Sequence, residues 1–114
     1  MNQAFWKMLQ EIADAHEIVI DRPKGSRHPR FQHIIYPLDY GYLQGTSSMD
    51  GSGIDVWRGS KEDGVVSAMI CTVDRLKGDS EIKLLIGCTE EEIQLANAFH
   101  NESEYMKGLL IRRE

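Results

Sequence analysis

The spacing of apolar residues changes period along the chain. Between residues 3 and 16, Phe5, Met8, Leu9 and Ile12 recur at the spacing of one helix face, which predicts an amphipathic helix. The pattern then shortens. "EIVIDR", 17 to 22, is β-branched and reads as a strand. Pro23, Gly25 and Pro29 impose a loop, and "FQHIIYP" reads as a second strand stopped by Pro37. "DYGYLQG" is aromatic and glycine-punctuated, so it reads as extended. "GIDVWRG" reads as another strand and "SKEDG" as a turn. "VVSAMICTVDR", 65 to 75, is apolar on both alternating faces, which predicts a central strand. "LKGDS" reads as a turn and "EIKLLIGC" as the strand after it.

Thr89 followed by Glu92 three residues on makes a capping box, with Glu90 and Glu91 suited to the positive end of the dipole. A second helix is therefore predicted to about His100, then a turn over 101–104 and a last short strand or irregular tail in "MKGLLIRR". One helix, five or six short strands and one helix, with no repeat or linker, predict a single domain over 1–114. Its class is mainly β with flanking helices (α+β), an antiparallel sheet or small barrel.

Composition narrows the function. The formal net charge is -5, which argues against a nucleic-acid binder relying on a broad basic surface. Yet "RPKGSRHPR", 22 to 30, holds four cations, two prolines and no acid. A local basic patch in an acidic protein suits a small anionic ligand. Cys71 and Cys88 each sit in an apolar run and fit no zinc or redox motif, so both read as buried free thiols. No signal peptide or apolar run long enough to span a membrane is evident, and a cytoplasmic protein is expected.

The stretch "MDGSGIDVW", 49 to 57, places Asp50 and Asp55 on either side of Gly-Ser-Gly. An EF-hand fails, because the closing position twelve along from Asp50 is Lys61. A calcium nonapeptide works only in stacked copies, and the chain has one. A plain turn and half of a metal site for phosphate chemistry both stand. The neighbouring segments favour the second. "KGSRHPR" supplies cations, "YPLDYGY" phenols, and "VDRLKGDSEIK" acids and a lysine, each in a loop or at a strand end. His16, His28, His33 and His100 read as solvent or packing residues, and Trp6 and Trp57 as core or interface.

Together "EIVIDRPKGSRHPRF", "YPLDYGYLQGTSSMDGSGIDV" and "VDRLKGDSEIKLLIG" resemble, in order, three segments of the family I soluble inorganic pyrophosphatases. The resemblance implies a small OB-like β-barrel with its site at one mouth. It implies hydrolysis of inorganic pyrophosphate or a related phosphoanhydride with Mg2+ (or Mn2+). The implied metal ligands are Asp50, Asp55, Asp74 and Glu81, or Asp79 in place of Glu81. The implied substrate-binding residues are Arg30, Tyr40 and Lys83, with Asp21 standing where the family has a glutamate and Arg27 a candidate substitute for a missing arginine. The partner implied is a small phosphate-containing substrate.

Three departures stand out. Ser52 replaces the middle carboxylate of the aspartate motif, among the catalytic positions Asp50, Ser52 and Asp55, and Gly53 replaces the proline after it. Only five residues separate Arg30 from Tyr36, where the family inserts an arginine-bearing hairpin. The family's Tyr-Lys pair near the last helix has no match. The alternatives are a non-catalytic phosphate or nucleotide binder that kept the barrel, and a hydrolase acting on a larger phosphate ester. A shortened barrel also exposes a sheet edge or apolar patch, from which a homo-oligomer is an expectation.

Overall fold

The structure is a computed structural model and describes residues 2–48 and 51–114. Helix α1 spans Gln3–Ala15 and helix α2 Glu90–Phe99. Six strands, β1 (Ile18–Arg22), β2 (Asp39–Leu43), β3 (Ile54–Arg58), β4 (Val66–Asp74), β5 (Asp79–Ile86) and β6 (Met106–Arg112), form one sheet in the order β1-β2-β3-β5-β4-β6. All pairs are antiparallel except β3 with β5. This is a mainly β, OB-like arrangement with a helix near each end of the chain, of the partly open kind that leaves two sheet edges. Among the described residues, no helix is long and apolar enough to cross a membrane.

Each face of the sheet has its own core. On one, Leu43, Val56, Val66, Leu84 and Ile86 pack beneath Trp6, Leu9 and Ala13 of α1. On the other, Trp57, Ala68, Ile70 and Leu85 pack against Ile93 and Ala96 of α2 and against Tyr36 and Leu38. β4 is interior, bonded to β5 and β6, as its two apolar faces require.

Four expectations are corrected. The buried face of α1 is Trp6–Leu9–Ala13, while Phe5 and Met8 are 48% and 65% exposed. Trp6 and Leu9 are three apart and Ala13 four further, so the stripe lies one position round from the one the apolar count suggested. "FQHIIYP" is not a strand. It closes a loop on itself: the amide of Gly25 donates to Tyr36 O, that of Tyr36 to Ser26 O and that of His28 to Ile34 O. A bridge joins Arg27 and Ile35. With its backbone partners inside the loop, the segment adds no strand to the sheet and delivers Tyr36 and Leu38 to the core. Asp79 and Ser80 belong to β5 rather than to the turn before it. Cys88 is buried, but Cys71 is only partly so. The capping box on α2 is present as the sequence requires: the Thr89 side chain accepts from the Glu92 amide, and Glu92 accepts from the Thr89 amide.

Candidate functional site

The register of the central strands puts one polar cluster on the α2 side of the sheet. Asp55 of β3 lies beside Lys83 of β5, and Tyr40 of β2 lies beside Trp57 of β3. Alternation along β5 then brings Glu81 to the same side as Lys83. Lys83 Nζ donates to Asp55 Oδ2 at 2.6 Å and to Glu81 Oε2 at 3.2 Å. The Tyr40 ring centre is 5.9 Å from Lys83 Nζ, and the Tyr40 hydroxyl interacts electrostatically with Lys83 and Asp55. The side chains of Lys83 and Glu81 are each 9% exposed and that of Asp55 is 20%.

Burial and charge tune this cluster. For Lys83, burial works against the ammonium, but the surrounding oxygens of Tyr40 and Asp55 outweigh it and hold the amine protonated well above its ordinary range. Burial raises Tyr40, so its phenol keeps its proton at neutral pH. The neutral phenol adds no charge there, so Asp55 is the anion that holds Lys83 charged. Burial also raises Glu81, against the pull of Lys83, and the neighbouring Asp55 carboxylate pushes the same way.

Other sequence-predicted residues fall elsewhere. Asp50 lies outside the described residues. Ser52 is exposed, and its carbonyl accepts from the amide and the hydroxyl of Ser48, closing the loop before β3. Gly53 cannot carry a side chain here: a Cβ would stand 2.6 Å from Leu43 O and 2.8 Å from the Tyr42 ring. Asp74 faces Asp79 across the β4–β5 end, and its Oδ1 accepts the Leu76 and Lys77 amides, both at 3.0 Å. Between Asp79 and Glu81, it is Glu81 that reaches Lys83. Among the described residues, no three His, Cys, Asp or Glu side chains gather as a metal group. A cavity of about 380 Å3 opens beside Glu81 toward Ile54, Cys71 and Ile82.

The end of β1 and the loop after it carry the cations of the basic patch. Arg27 Nη1 donates to Gln32 O, and the exposed Arg30 guanidinium lies 5.9 Å from the Phe31 ring centre. Asp21 sits exposed at a bulge in β1, and its charge reaches Tyr36. Sequence reasoning counted Arg22 in the basic patch and Tyr36 among the phenols but singled out neither. Arg22 lies in register with Tyr40, and its Nη1 bonds the Tyr36 hydroxyl. The Tyr36 ring is 5.6 Å from Tyr40 and 6.3 Å from a nearly parallel His28 ring. His28 is pulled below its ordinary range by burial and then by Arg22, Lys77 and Arg30. Cations from β1, the following loop and the β4–β5 turn therefore face one imidazole. The signal for Arg22 was its place at a strand end beside Pro23.

A comparison with protein-family models gives no match, and neither does one with curated protein sequences. Solved structures do match. The inorganic pyrophosphatase of Neisseria gonorrhoeae superposes with a TM-score of 0.63 at 17% identity, over 79% of this chain and 77% of that one. That of Coxiella burnetii gives 0.61 at 12%, over 83% and 84%. That of Helicobacter pylori gives 0.61 at 14%, over 84% and 83%. This chain has the fold of the bacterial inorganic pyrophosphatases.

Proposed function

We propose that the chain hydrolyses inorganic pyrophosphate, or a related phosphoanhydride, presented with magnesium. One observation carries this reading beyond the fold: Asp55, Glu81, Lys83 and Tyr40 converge on one face of the sheet, with Arg22 bonded to the Tyr36 that packs on Tyr40. Such an arrangement matches the needs of a dense polyanion that must be gripped, oriented and kept from repelling its nucleophile.

Two converging carboxylates do not make a closed metal cage. They do fit magnesium, which is commonly held by one or two carboxylates together with substrate phosphates. In this reading Asp55 and Glu81 hold the ion, with Asp50 and Asp74 as further ligands. When bound, the ion would neutralise phosphate charge and make water a better nucleophile. The chain's own groups do the rest. Asp55, fixed by Lys83, orients the attacking water. Tyr40 stays a phenol and donates to a phosphate oxygen.

The test is phosphate release from pyrophosphate with and without magnesium, for the natural chain and Asp55→Asn. Release should require magnesium and fall by roughly 10²–10⁴-fold in the variant. The second reading, a phosphate binder without hydrolysis, is favoured by Ser52 in the aspartate motif. Binding of pyrophosphate with no release under any magnesium concentration would establish it and end the hydrolase reading.

A further inference from the structure

Lys83 already serves two acids, donating to Asp55 Oδ2 and Glu81 Oε2. An anion competes with both for Lys83, so a grip from other cations is easier. Arg22 is the half-buried one. Its in-register partner is Tyr40, on the side of the sheet that carries Asp55 and Lys83. Its guanidinium is held by the neutral Tyr36 hydroxyl and lies 5.4 Å from the Tyr36 ring centre. Among the described residues, no carboxylate lies within ion-pair distance of it. Arg58 and Arg112, by contrast, are paired with Asp39 and Glu90.

A guanidinium has five N–H donors in a fixed fork, and the phenol uses little of that capacity. A partly desolvated arginine without a carboxylate at ion-pair distance attracts an anion. Lys77 and Arg30 bring two further cations toward the same place, as their effect on His28 shows.

We propose that Arg22 is a substrate-binding residue. It grips one phosphoryl group of a diphosphate, while the Tyr40–Asp55–Lys83–Glu81 cluster faces the other. Tyr36 holds the fork ready at the wall between them. This rests on the proposed function for the identity of the ligand, and it assigns the grip to a residue that the family resemblance did not single out.

The experiment is calorimetric titration with the non-hydrolysable imidodiphosphate plus magnesium. It uses the natural chain, Arg22→Gln, Arg22→Lys and the charge-matched control Arg112→Gln. Arg22→Gln should weaken binding by roughly 10- to 100-fold, the range expected for a charged hydrogen bond. Arg22→Lys should recover part of that loss, and Arg112→Gln should bind like the natural chain. Kinetics on pyrophosphate should show the loss in KM more than in kcat, which a purely structural Arg22–Tyr36 contact would not produce. If Arg22→Gln does not fold, the Arg22→Lys result decides: affinity equal to the natural chain overturns the proposal. Natural chain and Arg22→Gln binding alike overturns it while leaving the hydrolase reading intact. No binding by the natural chain overturns both.

Discussion

The ammonium of Lys83 stands between two acids that would otherwise repel each other in a poorly solvated site. Replacing it with an apolar residue of similar length leaves Asp55 and Glu81 close together without a cation. Breaking a buried pair this way costs about 3–5 kcal/mol, so Lys83→Met should melt well below the natural chain at pH 7. Because burial and Asp55 already raise Glu81, acidification should protonate it and return part of the loss. Magnesium should also return part, by binding the folded state only. Thermal melts with and without magnesium check this. A magnesium shift no larger in Lys83→Met than in the natural chain would mean that the two carboxylates are not available to a cation together. The sequence brought Asp55, Glu81, Lys83 and Tyr40 to notice through the resemblance of their segments to a known family. It did not reveal that the lysine's donors are used within the cluster, since strand alternation gives a face but not which neighbours meet across the sheet.

At the scale of elements, the sequence was most legible where local chemistry and tertiary packing agree. Thr89 and Glu92 start α2 by satisfying amides that any helix leaves open, a requirement independent of the fold. The segment 31–37 was less legible because its alternating aromatic and apolar residues suit a strand, and only the partners at Gly25, Ser26 and His28 decide otherwise. At the far end of α2, His100 takes the packing role of the two left open: its Nε2 accepts from Trp57 Nε1 at 2.9 Å inside the core, and it is 3% exposed. Burial, with help from Lys83, pulls it down to about 3 from 6.5. The unfolded chain therefore binds a proton there that the native chain refuses. This contribution to stability is complete above 6.5 and is lost as pH falls toward 3, by about 1.4 kcal/mol per pH unit. Glu81 acts with the opposite sign, gaining its proton more readily in the folded state. Urea titrations of the natural chain and His100→Gln between pH 7 and pH 5 separate the two. The natural chain should lose more stability than the variant across that window, and parallel curves would show that His100 is not the group responsible.

The whole molecule divides its charge by region. The net charge is -5, from 13 basic and 18 acidic residues, yet four cations fall together in 22–30. Acids run along the helices, with Glu11 and Asp14 on α1 and Glu90, Glu91 and Glu92 on α2. Arg22, Arg27, Arg30 and Lys77 gather instead on β1, the loop after it and the β4–β5 turn. None of the four has an ion-pair partner among the described residues. A polyanion approaching the helices is repelled, whereas one approaching this patch is drawn in, and the sign of the net charge alone would miss this. The balance depends on range. At about 0.01 M salt the screening length is about 30 Å, comparable with the molecule, so the acidic helices oppose binding along with the attraction at the patch. Near 0.1 M it falls to about 10 Å, and the helices drop out before the patch does. Pyrophosphate affinity at fixed magnesium should therefore fall only gently over this first range. It should fall more steeply from about 0.1 M to 1 M, where screening reaches about 3 Å and the patch itself is shielded. Arg22→Gln should flatten the second part of that curve and leave the first nearly unchanged, because it alters a short-range contact and not the helices. Titrations of both proteins across the salt range measure this directly. A steep fall at low salt that flattens above 0.1 M would mean that distant charges, and not this patch, hold the anion.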